Sequence, residues 1–338
     1  MCNARRLLSP LIGGAFALSL AALAPLFTGC GGDDAAAAIG HDGGATQSDF
    51  AAPAVADLAL GPPQGTIDPM GGGGTVNLLA FTVFGDVRPA LPDFDNQYPA
   101  MTIASIMKQM ATLSPEFAVG TGDYMFVEAL PSSATNQLKM LLAAEANFPK
   151  PIFHALGNHE CNSFSDLNCP NLNETPNITV YMSTMLPWTK VPWYSFLVHT
   201  ALGDAKFLFV AANAWNDQQA AWLKQALSIP TRYTFVIRHQ PTPDAGQPSS
   251  VMGKLASDML FMGQPITLFL YGHVHEYNHI GTNAVIAGNG GAPLDKGSYG
   301  FVYVRQREDG AVTVTAYDVA SMMPMDAWNV TPDGQSTP

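Results

Sequence analysis

Charge is what this sequence has least of. Only 12% of its 338 residues are charged, against about 25% in an ordinary soluble domain. Positive charge is scarcest, with 15 Lys and Arg facing 27 Asp and Glu for a net charge of -12. Duplex binding needs clustered Lys and Arg to neutralise phosphates, so nucleic acid is not an expected partner. A small anionic substrate stays possible only if metal ions meet its charge. There is no internal repeat, and cysteines number just 4. Apolar residues are ample at 47%, which excludes a chain disordered throughout. The 31 glycines and 26 prolines put much of it in loops. The length allows one or two domains.

The N-terminus reads as an export signal. Arg5 and Arg6 precede an uncharged run over residues 7–27, followed by Thr28, Gly29 and Cys30. The run Phe27-Thr28-Gly29-Cys30 resembles the lipobox of bacterial lipoproteins, in which the cysteine becomes the lipidated first residue. That resemblance implies a signal over residues 1–29, lipidation at Cys30 and a place in the bacterial cell envelope, in the periplasm or on the outer membrane. The alternative is an uncleaved anchor, because the run is long enough to span a bilayer. Either way the remainder sits outside the cytoplasm. Cys161 and Cys169 are then the two cysteines left, in a compartment that permits disulfides, and they are expected to be bridged. Two free thiols or a zinc pair are the alternatives.

Residues 30–75 are rich in Gly, Ala and Pro and show no sustained periodicity. Such a segment is expected to be a disordered tether, spanning about 35–40 Å on average. The folded domain is expected over 76–320, with a tail over 321–338. Strands are expected at 77–85, 117–120, 151–156, 194–198, 206–212, 233–238, 266–271, 277–280, 283–287, 300–305 and 311–317. Helices are expected at about 98–112, 131–147 and 216–228, the last with Trp222, Leu223 and Leu227 facing inward. Residues 160–192 read as a long loop stapled by the disulfide. Strand–helix alternation followed by a strand-rich end indicates an α/β class.

Five short segments each follow an expected strand and deliver a metal-competent residue. In order they are Gly85-Asp86-Val87-Arg88, Gly122-Asp123-Tyr124, Gly157-Asn158-His159-Glu160, Arg238-His239-Gln240-Pro241 and Gly272-His273-Val274-His275. Ligands bind at the carboxyl ends of strands in open α/β sheets. Mixed oxygen and imidazole donors suit Zn, Mn or Fe. If Gly272–His275 is strand, alternate positions put His273 and His275 on one side of it. Each segment alone is commonplace, and the five in this order are specific.

The set resembles the calcineurin-like metallophosphoesterase superfamily over about residues 77–318, and within it the purple acid phosphatases and their bacterial relatives. Gln219, Trp222-Leu223 and the run Ala287–Pro293 agree with that resemblance. It implies a two-sheet β-sandwich flanked by helices in four layers, and two divalent or mixed-valence metal ions (Mn, Fe or Zn). It implies that Asp123 bridges the ions, that Asn158, His239 and His273 complete the second site, and that Asp86 and His275 hold the first. A hydroxide between the ions would attack phosphorus in line. His159 would protonate the leaving oxygen, oriented by Glu160. The implied partner is a phosphoester substrate, and the protein is expected to be a monomer.

The chain departs from the pattern in two places. Most of the superfamily has His at the position of Arg88. Purple acid phosphatases lack that His but supply a Tyr where this chain has Phe126. Arg88 could clamp the substrate phosphate, or pair with Asp86 in place of the missing metal. Tyr277 and His279 are weighed evenly between facing the substrate and plain packing, and His154 is expected to pack rather than ligate. The rival reading is a catalytically weak relative that binds phosphate ligands or a partner protein. Nothing matches the His-rich run of a metallo-β-lactamase.

Overall fold

The structure is a computed structural model, and it describes residues 67–161, Cys169, residues 175–242 and residues 251–337, the side chain of Met252 excepted. The expected signal, Cys30 and the tether as far as residue 66 lie outside the described residues.

The described chain opens with β1 (Ile67–Asp68) and β2 (Gly73–Thr75), which pair with each other. These residues fall inside the expected tether, so the folded domain begins by residue 67. Glycine explains the difference. Gly73 has φ +76° and lies so close to the Leu197 backbone that a Cβ there would collide with its carbonyl. The glycines that read as linker permit a strand to lie tightly along its neighbour.

Next come β3 (Ala80–Phe84), α1 (Ala100–Thr112), β4 (Phe117–Gly120), α2 (Pro131–Glu145) and β5 (Ile152–His154). The short α3 (Asn158–Cys161) and α4 (Pro176–Met185) lie where a continuous loop was expected. α4 starts as helices should, with Pro176 in its first turn and the Thr175 hydroxyl accepting from Ile178 N–H. Cys161 and Cys169 form the expected disulfide. β6 (Tyr194–His199), β7 (Ala205–Val210), α5 (Asp217–Ser228), β8 (Tyr233–Arg238) and α6 (Met252–Phe261) follow. α5 is capped by Asn216 and buries Trp222 and Leu223, while Leu227 is half-buried. The chain closes with β9 (Leu268–Tyr271), β10 (Tyr277–Ile280), β11 (Ala284–Ala287), β12 (Gly300–Gln306), β13 (Val312–Asp318), β14 (Pro324–Val330) and β15 (Ser336–Thr337). The expected tail is therefore strand: Val314 pairs with Trp328, and Asn329 with Thr337.

The strands make two mixed sheets. One runs β1-β2-β6-β7-β8-β9-β11-β10 and the other β15-β14-β13-β12-β3-β4-β5. β3, β4 and β5 are parallel in the second sheet, as are β7, β8, β9 and β11 in the first. The sheets face each other through phenylalanine. Phe81 stacks on Phe117 at 5.3 Å and meets Phe207 and Phe235 edge-on, each at 5.2 Å. Every residue of β7 and β8 is buried, which a strand needs when both of its faces are covered. α1, α2 and α4 pack together, with α1 against β12, and α5 packs on β7 and α6. The result is the expected α/β sandwich of two sheets with helices on the outside. No helix among the described residues is long and apolar enough to cross a membrane.

Candidate metal centre

The five turns that end β3, β4, β5, β8 and β9 converge at one end of the sandwich. Three of their residues, Asp86 (φ 56°), Asp123 (φ 60°) and His273 (φ 73°), hold a left-handed backbone. A non-glycine residue pays a steric cost there, and such strain persists only where the surroundings impose it. Here the turns hydrogen-bond to one another. Asp86 N–H donates to the Gly122 carbonyl at 3.0 Å, Val87 N–H to Asp123 at 3.0 Å, Gly272 N–H to His239 at 2.9 Å and Ala292 N–H to Asp86 at 2.7 Å. Gly122 allows the close approach, since a Cβ on it would lie 2.7 Å from His239 Nδ1 and 2.8 Å from Gly157 Cα.

Two groups of metal-competent atoms share one carboxylate: a first, Asp123 with Asp86 and His275, and a second, Asp123 with His239 and His273. In the second group the chemistry of the donors is explicit. His239 Nδ1–H donates to the Thr121 carbonyl at 2.9 Å, which leaves Nε2 to face the other ligands. That Nε2 lies 3.0 Å from Asn158 Oδ1, 3.2 Å from Asp123 Oδ1 and 3.3 Å from His273 Nδ1, and His273 Nδ1 is itself 3.0 Å from Asn158 Oδ1. Four ligand-competent atoms thus face one another, and the carboxylate among them favours positive charge on His239. Burial opposes charge on His239, but Asp123, Asp86 and Glu160 outweigh it and raise the pKa from 6.5 to about 9. The two imidazoles, the carboxylate and the amide oxygen fit an ion of the Zn, Mn or Fe kind.

The first group is different. His275 Nδ1–H donates to the Pro293 carbonyl at 2.9 Å, so Nε2 carries the lone pair. Arg88 Nη2 donates to it at 3.3 Å. The Asp86 carboxylate lies 3.6 Å from that Nε2 and accepts from His273 N–H. The ion pair of Arg88 runs to Asp123 (Nε to Oδ2, 3.8 Å), not to Asp86 as the sequence reading had allowed. Its guanidinium lies over the ring of Phe126 at 4.6 Å. The two departures from the family pattern are therefore in contact with each other. Burial pushes the Asp86 carboxyl well up, and burial together with Arg88 pushes His275 down. Asp123 stays ionised well below the usual range: burial opposes its charge, but His239, His159 and Arg88 outweigh that.

Glu160 does not touch the His159 ring. It is fully buried and accepts from three backbone N–H groups: Asp123 at 2.9 Å, Gly157 at 2.8 Å and Tyr124 at 2.7 Å. The expectation that it orients His159 is corrected: it fixes the turn that carries Asp123. Burial, then the charge of Asp123, raises its pKa from 4.5 to about 7. His159 borders the cavity with Nε2 3.7 Å from Asp123 Oδ2 and its ring 4.4 Å from Phe126. Burial holds its pKa down at about 3. His273 and His275 are also corrected. They lie in the turn between β9 and β10 rather than along a strand, and each belongs to a different group. Arg238, directly before His239, is fully buried, paired to Asp258 at 2.7 Å and bonded to the Ser257 hydroxyl at 2.6 Å. It ties the His239 turn to α6.

Tyr277 and His279 lie away from the cavity. Tyr277 Oη donates to Asp326 Oδ2 at 2.8 Å, and His279 pairs with the same oxygen at 3.1 Å and stacks on Trp328. His154 packs as expected, with Nε2 2.8 Å from Glu145. Sequence reasoning missed the Thr121 and Pro293 carbonyls and Asp295, which accepts from His275 N–H at 3.2 Å. Backbone carbonyls carry no residue-type signal. A cavity of about 410 Å³ opens over the centre, lined by Arg88, Asp123, Asn158, His159, His273 and His275 among others.

A family model described as calcineurin-like phosphoesterase matches residues 80–277. The chain belongs to that family. Its members are generally phosphoester hydrolases with two-metal centres. No curated protein sequence matches the chain. Among solved structures, the purple acid phosphatase from yellow lupin (Lupinus luteus) seeds is 18% identical with a TM-score of 0.54, covering 75% of this chain and 54% of that one. The chain thus spans about half the length of the lupin enzyme. A dimetal phosphatase from Danio rerio is 13% identical with a TM-score of 0.54, covering 76% of this chain and 99% of that one. The structure of PhoD is 10% identical with a TM-score of 0.50, covering 79% and 72%. At these identities the likeness is one of fold.

Proposed function

We propose that this protein is a metal-dependent phosphoester hydrolase, exported and held in the bacterial cell envelope by lipid on Cys30. The observation that carries the hydrolase reading is the cavity floored by Asp123, which belongs to both metal-competent groups. Asp123, Asn158, His239 and His273 would hold a Mn, Fe or Zn ion. When bound, such an ion lowers the pKa of water and neutralises charge on phosphate oxygens. The chain's own residues do the rest. Glu160 and the turn hydrogen bonds fix Asp123 in its left-handed conformation, so the ligand is placed before the substrate arrives. Arg88 offers planar N–H donors to a phosphate oxygen. Burial keeps His159 neutral, and a bound phosphate anion supplies the negative charge that would let it take up a proton for the leaving oxygen. The purple acid phosphatase-like part of the resemblance supports this reading through the Gly157–Glu160 and Gly272–His275 segments, while Phe126 leaves out the Tyr on which the purple colour depends.

The test is hydrolysis of p-nitrophenyl phosphate and its diester by metal-loaded wild type and Asp123→Asn. The variant should lose at least about 100-fold in rate, the scale on which removal of a transition-state charge partner acts. Activity that survives the substitution sinks the mechanism. The second reading, a catalytically weak phosphate-binding relative, is favoured by the Arg88–Phe126 contact. It would show as metal-dependent phosphate binding by the wild type without turnover of either ester.

A further inference from the structure

Arg88 sits where a cation belongs. His275 can present only one lone pair to the cavity, because its Nδ1–H is committed to the Pro293 carbonyl at 2.9 Å. That lone pair already accepts from Arg88 Nη2 at 3.3 Å. The same guanidinium reaches the shared carboxylate, with Nε 3.8 Å from Asp123 Oδ2. It is held there from its other sides by Phe126 at 4.6 Å and by the Pro89 carbonyl, which accepts from Nη1 at 3.1 Å. Its side chain is only 15% exposed. A guanidinium keeps its charge at any physiological pH. A lone pair bound to an N–H cannot also bind a metal, and the first group has three side-chain donors where the second has Asn158 as a fourth.

We propose that the Arg88 guanidinium replaces the first metal ion, so that the centre holds a single ion at Asp123, Asn158, His239 and His273. This rests on the metal-dependent reading above and narrows it. When bound, the single ion would supply Lewis acidity, and the Arg88 guanidinium would supply a positive charge and N–H donors without any metal.

The experiment counts metal on the full chain, equilibrated with excess Mn²⁺, freed of loose metal by gel filtration and assayed by elemental analysis. Wild type should carry about one ion per chain, and Arg88→His, which puts a neutral imidazole where the guanidinium lies, about two. Asp86→Asn should keep the wild-type ion, and His239→Ala should lose it. The Mn²⁺ EPR signal should be that of an isolated ion in wild type and of a coupled pair in Arg88→His. About two ions in wild type, or a coupled-pair signal there, would overturn the proposal and leave the hydrolase reading standing. Loss of the ion in Asp86→Asn with retention in His239→Ala would also overturn it, by placing the ion in the first group. No ion in wild type would overturn both readings. If Arg88→His fails to fold, the wild-type count and the Asp86→Asn comparison still decide.

Discussion

Loading a metal into the second group requires taking a proton off His239. In the metal-free protein Nδ1–H is tied to Thr121, so the added proton sits on Nε2, the atom that would bind the ion. Burial opposes that proton, but Asp123, Asp86 and Glu160 raise the His239 pKa from 6.5 to about 9. At pH 7 a proton with that pKa weakens apparent metal affinity about 100-fold, and each unit of acidification costs about tenfold more, roughly 1.4 kcal/mol. Competition titrations of Mn²⁺ or Zn²⁺ at pH 6, 7 and 8 should therefore show affinity rising about tenfold per unit, with about one proton released per ion bound. Stability carries the same signature. His239 has a folded pKa above its unfolded value, so its contribution is complete below pH 6.5 and is lost as pH rises through about 9. Over that window the folded chain binds a proton that the unfolded chain has released, which makes the slope of stability against pH negative. The melting temperature of the metal-free protein should fall across it, and saturating metal should remove this dependence. Affinity that is flat with pH, or binding that releases no proton, would refute the convergence of ligands on Nε2.

Two further outcomes are expected. Asp258→Ala strands the buried Arg238 guanidinium without its 2.7 Å partner. It should cost about 3 kcal/mol in chemical denaturation and weaken metal binding through the His239 turn. A cost below about 1 kcal/mol would show that solvent reaches that pair and makes it an ordinary surface one. Cys30→Ala should abolish incorporation of labelled palmitate and release the protein from membranes, whereas label that persists would refute the anchor.

The core strands were legible because strands covered on both faces are dominated by apolar residues, and segments such as Phe207–Val210 and Phe235–Ile237 stand out as such runs. The ligands were legible because each lies within a few residues of the end of such a run. What could not be read has physical causes. Gly73–Thr75 looks like linker because its pairing depends on backbone approach, and a side chain would obstruct it. Pro324–Val330 is half-exposed, so it lacks the apolar alternation that marks a strand. α4 hid behind β-branched and amide residues of poor helix propensity, and only the Thr175-Pro176 start announces it. Glu160 was assigned to its sequence neighbour, yet its carboxylate reaches back across 37 residues to the Asp123 N–H. Adjacency in sequence said nothing about that. Arg88 and Phe126 were each visible as departures, but only the fold shows that one lies on the other.

The order of the strands bears on how the protein is made. β3 lies between β4, which follows it closely, and β12, which arrives only when Val304 can pair with Phe81. Asp86 likewise meets the His273 N–H across 187 residues of chain. A nascent chain released only as far as His239 would hold Asp86, Asp123, Asn158 and His239 but not His273, His275 or the strand that closes the sheet. The centre cannot be complete before the chain through His275 is available, and a partly synthesised chain offers an incomplete ligand set to any ion it meets on the way. On the proposed export route, the metal supply that matters would be the one at the destination.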